Sequence, residues 1–184
     1  LLRHADIALY EAKADGRGAF RCFAPQMSDR LQRRRALELD LRRALGQDEL
    51  ALHFQPRFET AELQPTGVEA LLRWHAPGGR IVGPEQFVPL AEETGLIVPI
   101  GDWVLREACR QAAPLPGLTV SVNLSPVQFR HGDLVASVEA ALAASGLDPR
   151  RLELELTEGV LLDSTDAAAR ILDRLKGLGI RLAL

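Results

Sequence analysis

The chain has 184 residues, 47% of them hydrophobic, which is enough for one globular domain with a buried core and a smaller additional piece. Its formal net charge of -3 and pI near 5.8 argue against a general DNA- or RNA-binding protein, which usually carries a basic face and has a high pI. We therefore expect any phosphorylated ligand to be small.

The two cysteines, Cys22 and Cys109, form no CxxC or Cys/His pattern of the kind that binds zinc, and we expect buried, reduced thiols in a cytoplasmic setting. No apolar run approaches the roughly 20 residues of a membrane span. Leu1 is not followed by a charged leader with a cleavage site, so the start is interpreted as a cut within a longer protein.

Residues 1–27 are too few to bury a core of their own and are predicted to be the tail of a preceding domain. They contain a predicted helix at 5–14, a glycine-rich turn at 15–18 and a strand-like segment at 19–23. Residues 28–45 are predicted to be a charged helix in which six arginines against three acids give a local charge of 6 minus 3, or +3. A solvated connecting helix is favoured over a patch for nucleic acid or anionic membrane.

From residue 46 onward, strand and helix patterns alternate. Strands are predicted at 50–58, 68–74, 118–124, 151–156 and 179–184. Helices are predicted from Pro84 until Gly95, at about 100–113, at about 132–145 until Gly146, and from Ser164 or Thr165 to Lys176. Ser125 and Pro126 form a further helix-start signal. This alternation predicts βα units and a mostly parallel sheet.

The predicted strands carry polar side chains on one face only. Side chains at even spacing share a face of a strand, so Glu69 and Arg73 project together while Val68 and Leu72 pack on the other side. The polar positions are Gln55, Arg57, Glu69, Arg73, Ser121, Asn123, Glu153 and Glu155. A parallel sheet that is covered on both sides should be apolar on both faces, so this face is predicted to be wet or to coordinate a ligand. Closure into a barrel would direct these groups inward.

Each of these residues also has a purely structural interpretation. Glu69 and Arg73 alone would be read as a surface ion pair. Asn123 could cap a turn, and Glu153 could be solvated at a sheet edge. Ser125 is favoured as a helix cap over a nucleophile. If the carboxylates do share a site with the Asn123 amide oxygen, the all-oxygen set favours magnesium, manganese or calcium over zinc.

Six ordered motifs resemble the EAL domain of bacterial cyclic di-GMP phosphodiesterases over residues 46–184. They are FQP at 54–56, EALLRW at 69–74, PEQFVPLAEETGL at 84–96, IGDWVL at 100–105, VNLS at 122–125 and ELTE at 155–158. Upstream, ADIALYEAK at 5–13 with Gly16 and Arg17 resembles the C-terminal end of a GGDEF, or diguanylate cyclase, domain. The parent protein thus looks like a GGDEF and EAL tandem protein.

The resemblance implies an α/β fold, namely an incomplete (β/α)8 TIM-like barrel of the EAL type with a short α+β remnant of a GGDEF domain. It implies a GGDEF tail at 1–27, a connecting helix at 28–45 and an EAL domain at 46–184. The family continues with an aspartate pair, a lysine and a further glutamate. A barrel of this kind needs about 250 residues, so the EAL domain is expected to be cut before its second half.

The resemblance also implies a metal-assisted hydrolysis of cyclic di-GMP to linear pGpG with Mg²⁺ or Mn²⁺ as cofactor. Glu69, Asn123 and Glu155 match the family's metal ligands, and Gln55 and Arg73 match positions near the dinucleotide. Glu158 matches the glutamate that steadies a loop over the metals, and with Glu69 and Glu155 it completes the catalytic set.

Three functional classes stay open at this stage. The parent is expected to be a phosphodiesterase; a degenerate EAL domain would instead be a cyclic di-GMP receptor; and the chain alone would be an inactive, association-prone fragment. Cyclic di-GMP is the expected partner, with no DNA or RNA polymer. The resemblance leaves room for a homodimer through the EAL domain, for upstream GGDEF and sensor domains, and for an inner-membrane anchor upstream.

Overall fold

The computed structural model describes residues 2–14, 20–59, 64–156 and 166–183. The chain divides into two compact units, Leu1–Arg43 and Ala44–Leu184. Within the described residues, no helix combines the length and apolar character that a membrane crossing requires. Both cysteines are free; Cys109 is buried as expected, but the expectation is wrong for Cys22, which is exposed. Burial raises the pKa of the Cys109 thiol to about 11, so this thiol stays protonated at neutral pH.

The first unit consists of helices α1 (Leu2–Ala14) and α2 (Pro25–Ala44), and α2 begins three residues before the predicted start. Residues 20–24 between them form neither helix nor strand, so the strand predicted at 19–23 is wrong over its described part. A strand needs a hydrogen-bonded neighbour, and here the Phe23 ring stacks on His4 instead, with ring centroids 3.9 Å apart. The glycine-rich turn predicted at 15–18 lies outside the described residues.

Helix α2 pairs part of its positive charge internally. Arg42 contacts Glu38 at 3.2 Å and Arg43 contacts Asp40 at 3.1 Å, and both arginines are well exposed. Such pairs on a helix surface contribute at most about 0.5 kcal/mol each to the free energy of unfolding, so they add little stability. The contacts favour the solvated helix that the sequence predicted.

The second unit alternates strands with helices. Its elements are β1 (Leu50–Phe58), β2 (Pro65–Ala76), β3 (Arg80–Val82), α3 (Pro84–Thr94), α4 (Ile97–Ala112), β4 (Thr119–Leu124), α5 (Pro126–His131), α6 (Leu134–Ser145), a 3-10 helix (Pro149–Arg151), β5 (Leu152–Leu156), α7 (Asp166–Gly177) and β6 (Arg181–Ala183). The caps predicted for α7 at Ser164 or Thr165 lie outside the described residues. The helix-start signal at Ser125 and Pro126 belongs to a separate short helix, α5, and the helix predicted at about 132–145 is α6.

One sheet joins the strands in the order β1-β2-β4-β5-β6, with β3 paired to β2. Strands β2, β4, β5 and β6 run parallel, as predicted, because helices connect them. Strand β1 is antiparallel to β2. Strand β3, which was not predicted, folds back on β2 after Gly78 and Gly79, whose φ values of 82° and 78° suit glycine.

The core lies between the apolar face of the sheet and its helices. Val120, Val122, Leu152 and Leu154 are buried on β4 and β5, and α4 buries one apolar side against β4. Alternate residues of these strands are polar, so the burial follows the period of two along each strand. Packing of one face therefore leaves the other face of the same strands for polar groups.

Ser125 starts α5 as a helix cap, as the sequence predicted. Its Oγ accepts a hydrogen bond from the Val127 N–H at 3.1 Å, and its own N–H donates to Oε1 of Gln128 at 3.1 Å. The Ser125 hydroxyl also donates to Oε1 of Glu92 at 2.7 Å, which links α5 to α3. With these bonds made, the hydroxyl is a structural group and not a nucleophile.

We expect Gly101→Ala to destabilise the protein by about 1 to 3 kcal/mol. A Cβ on Gly101, inside α4, would overlap Nε2 of the buried Gln128, and moving Gln128 would deprive the Ser125 N–H of its acceptor. Intrinsic helix preference acts in the opposite direction, by up to about 1 kcal/mol in favour of alanine. Chemical denaturation measures which of the two effects is larger.

The matched control for this change is Gly177→Ala in α7, where a Cβ meets no atom within 4 Å. There only the helix preference operates, so we expect no loss of stability. Equal behaviour of the two variants would show that the Gly101 contact with Gln128 does not limit stability.

Candidate active site

The register of the sheet brings the predicted polar residues onto one face. Gln55 on β1 lies opposite Glu69 on β2, Glu69 lies beside Ser121 on β4, and Ser121 lies beside Glu153 on β5. One step further along, Asn123 on β4 lies beside Glu155 on β5. Residues that are aligned across a sheet share its face, so the row runs across four neighbouring strands.

Glu69 and Asn123 are in direct contact. Nδ2 of Asn123 donates a hydrogen bond of 2.7 Å to Oε1 of Glu69. Asn123 is therefore tied to the acid and not to a turn, so the alternative of a turn cap is wrong. Glu69 is half-buried, Asn123 is exposed, and together they form the open end of the polar row.

Arg73 lies on the same face as Glu69 but is not its partner. Nη1 of Arg73 donates to the carbonyl oxygen of Leu72 at 2.8 Å, and among the described residues no ion pair joins Arg73 to Glu69. The alternative interpretation of the two as a surface ion pair is therefore wrong. Among the described residues, the half-buried guanidinium of Arg73 is held by its own strand, which leaves it available for an anionic ligand.

Arg57 contacts two acids and a hydroxyl on strands that lie further across the sheet. Its Nη1 donates to Oε1 of Glu153 at 2.5 Å, to Oε1 of Glu155 at 3.1 Å, and also to the Ser121 hydroxyl oxygen. Ser121 in turn donates to Oε1 of Glu153 at 2.9 Å. Since Glu153 is 12% exposed and β5 lies between β4 and β6, the alternative of an acid solvated at a sheet edge is wrong.

The contact between Arg57 and β5 shows that the sheet curves around its polar face. Strands β2 and β4 separate β1 from β5. At about 4.8 Å between neighbouring strands, a flat sheet would hold β1 and β5 roughly 14 Å apart. Curvature of the kind found in barrels brings them close enough for a direct ion pair.

Glu153 is held in its charged form. Burial alone would raise the pKa of Glu153, but hydrogen bonds from Arg57 and Ser121 and the charge of Arg57 outweigh it, and the pKa lies below its ordinary value. The hydrogen bond to Glu153 raises the pKa of Arg57 by more than its burial lowers it. The cluster is thus an ion pair at neutral pH.

The sequence placed Arg57 on the polar face but assigned it no role. Its alternation with Gln55 was the signal that the sequence offered, whereas its position opposite Gly67, which has no side chain, follows only from the register of the sheet. Gln55 is exposed and lies opposite Glu69 in the sheet. Glu158 lies outside the described residues.

Oxygen donors on the polar face could hold a divalent cation. Among the described residues no three His, Cys, Asp or Glu side chains converge as a ready metal cluster. Glu69, Asn123 and Glu155 nevertheless provide carboxylate oxygens and, after a flip of the Asn123 amide, an amide oxygen. Hard oxygen donors suit Mg²⁺ or Mn²⁺. The residues present therefore fit such an ion.

A cavity of about 320 Å³ lies where the apolar face of β2 and β4 meets helices α3, α4 and α5. Apolar residues such as Ile100 and Val104 of α4 line most of it, and Arg73 and Asn123 also reach it. Its volume lies at the lower end of the range for small-molecule pockets. Among the described residues, Gln55, Glu69 and Glu155 do not line this cavity, so it is separate from the row of acids on the polar face.

A curved sheet of parallel strands with helical crossovers and a polar inner face defines an α/β protein of the TIM-like barrel class. Residues 38–184 match the EAL domain family, and the chain belongs to this family.

One curated relative and two solved structures show how close the similarity is. The chain is 43% identical over 189 residues to the bifunctional diguanylate cyclase/cyclic di-GMP phosphodiesterase MucR of Pseudomonas aeruginosa, covering 100% of this chain and 28% of that protein. The solved PaMucR phosphodiesterase in complex with c-di-GMP superposes with a TM-score of 0.75 at 45% identity, over 80% of this chain and 62% of that one.

A Klebsiella pneumoniae BlrP1 structure with manganese and cyclic di-GMP has a TM-score of 0.60 at 27% identity, over 74% of this chain and 34% of that one. The chain spans about a quarter of the length of the curated relatives that it matches.

Proposed function

We propose that the protein of which this chain is part hydrolyses cyclic di-GMP to linear pGpG. The observation that carries the proposal is the contact between Glu69 and Asn123, with Glu155 on the adjacent strand, at the carboxyl ends of parallel strands. Relatives whose names state cyclic di-GMP phosphodiesterase activity support the substrate. Solved neighbours that contain cyclic di-GMP support it further.

Glu69, Asn123 and Glu155 would hold Mg²⁺ or Mn²⁺. When bound, the metal supplies Lewis-acid activation of water and charge neutralisation at the phosphodiester. The manganese in the BlrP1 structure supports the choice of metal. Two carboxylates with one neutral amide leave the site negative without a cation, so occupancy of the site also lowers the repulsion of a phosphate.

Arg73 and Gln55 would bind the dinucleotide. Arg73 would exchange its bond to the Leu72 carbonyl for a charge-assisted bond to phosphate, which is shorter and stronger than a bond between neutral groups. Its fork of donors suits phosphate oxygens better than a lysine would. Glu158 is proposed, from the match to the family's motif, to steady a loop over the metal.

We place this chemistry in the cytoplasm, in a parent protein that carries a GGDEF domain and sensor domains upstream. The similarity to MucR extends over the whole chain, including residues before the EAL match, and supports a GGDEF tail at 1–27 followed by the connecting helix at 28–45. The EAL domain begins at about residue 46 and is also proposed as the homodimer contact.

Incubation of the full-length protein with cyclic di-GMP and Mg²⁺ or Mn²⁺ tests the proposal, with products separated by anion-exchange chromatography. We expect pGpG to form, formation to stop when EDTA removes the metal, and activity to return on adding Mn²⁺. Tight binding of intact cyclic di-GMP without pGpG would overturn the assignment and support the receptor instead.

A further inference from the structure

Glu155 is shared between two groups of residues on the polar face. Its neighbour across the sheet is Asn123 of the proposed metal site, whereas its Oε1 accepts the hydrogen bond from Arg57. Its second oxygen, Oε2, makes no hydrogen bond with the described residues. Glu155 therefore has one oxygen engaged by a cation of the protein and one directed elsewhere.

Arg57 is held mainly by Glu153 and only secondarily by Glu155. The contact with Glu153 is 2.5 Å and that with Glu155 is 3.1 Å, and the exposed fractions of the two acids are 12% and 29%. Oε1 of Glu153 also accepts a bond from Ser121, whose hydroxyl contacts the same guanidinium nitrogen. The better-buried acid and the buried hydroxyl thus fix the position of the guanidinium.

If that anchor were lost, Glu155 would be the acid among the described residues that already accepts a hydrogen bond from Arg57, with the charge of Glu69 also acting on the guanidinium. A guanidinium that moved fully onto Glu155 could take both carboxylate oxygens in a bidentate pair. A divalent cation would then have to displace it. Arg57 therefore supports the metal site while Glu153 and Ser121 hold it in place. Without them, its positive charge would compete with the metal for Glu155.

We propose that Glu153 and Ser121 act as positioning residues that hold Arg57 on one oxygen of Glu155 and so keep the other oxygen available to the divalent cation. This inference rests on the proposed function, since it takes Glu155 as a metal ligand. On this face, the Arg57 guanidinium takes one oxygen of Glu155 and is held there by Glu153 and Ser121. The other oxygen of Glu155 is left for the metal.

Titration of the full-length protein with Mn²⁺, with free Mn²⁺ followed by EPR, tests the inference. Binding at this site is defined as the binding that Glu69→Gln removes. Glu153→Gln should weaken it by about 10- to 100-fold, the usual effect of losing a group that orients a ligand. Adding Arg57→Gln to that variant removes the competing cation and should return the affinity to near the wild-type value.

Glu153→Gln also removes a negative charge from the site, and adding Arg57→Gln removes a positive one. The change in net charge alone could therefore explain both the loss and the recovery of Mn²⁺ affinity. Ser121→Ala separates the two explanations because it alters no charge. If Ser121 positions Arg57, we expect Ser121→Ala to weaken Mn²⁺ binding roughly threefold, as the loss of one hydrogen bond would. Unchanged affinity in Ser121→Ala, or no recovery in the double variant, overturns the positioning role.

The outcomes also separate this inference from the proposed function. A wild-type protein that binds no Mn²⁺ at the Glu69 site and forms no pGpG overturns both. If the wild-type protein binds Mn²⁺ at the Glu69 site and forms pGpG, but the Mn²⁺ affinities of the variants do not follow the expected order, only the positioning role is overturned. Thermal midpoints of all variants show whether each is folded. If Glu153→Gln is not folded, the Mn²⁺ affinity of Ser121→Ala tests the positioning role.

Discussion

Glu69→Gln should reduce pGpG formation by about a thousandfold. The substitution keeps the size of the side chain but removes the negative charge that would face the metal, and the Lewis-acid contribution of such an ion amounts to several kcal/mol. Each 1.36 kcal/mol corresponds to a tenfold change in rate, so the expected loss is on the order of three powers of ten. Initial rates at saturating cyclic di-GMP measure it.

The matched control is Glu139→Gln, the same chemical change on the exposed side of α6. It should leave the rate unchanged, because surface substitutions away from the site have little effect. The Glu69 variant should also keep the thermal midpoint, since Glu69 is half-buried and the Asn123 amide can still pair with the glutamine oxygen. A Glu69 variant with wild-type turnover would refute the role of this acid.

Local patterns were enough to predict most of the strands and helices. The strand at 50–58 was predicted with the bounds that β1 has, because apolar and polar residues alternate over most of this segment. The three-residue strand β3 was not, because Arg80, Ile81 and Val82 are too few to show a period. The wrong strand at 19–23 shows the opposite failure, since an extended propensity cannot reveal whether a partner strand is present.

The site divides along the same line. The common face of Glu69 and Asn123 follows from the period of two, which needs only local sequence. The partners of Arg57 do not, because they depend on the strand order and on curvature that brings β1 close to β5. The bond of Arg73 to the Leu72 carbonyl could not be predicted either, for a different reason. It depends on the side-chain conformation of Arg73, which the sequence pattern does not specify.

Phe87→Ala should destabilise the second unit by about 3 to 5 kcal/mol. Phe87 on α3 is fully buried, and its ring meets that of Trp74 edge to face, with centroids 5.7 Å apart and an angle of 82° between planes. The loss combines the hydrophobic transfer of the ring, the cavity left behind and the aromatic contact. It is a large share of the roughly 5 to 15 kcal/mol that stabilises a typical domain.

The control is Phe58→Ala at the end of β1, where the same ring is 54% exposed and little apolar surface is lost, so we expect a change within about 0.5 kcal/mol. Urea unfolding measures both changes, and Trp74 fluorescence reports on the Phe87 site directly. Because Trp74 follows Arg73 on β2, loosening its packing should also weaken cyclic di-GMP binding in the Phe87 variant while sparing it in the Phe58 variant. Equal stability losses in the two variants would mean that burial at Phe87 does not determine how firmly α3 is held against the strand that presents Glu69 and Arg73.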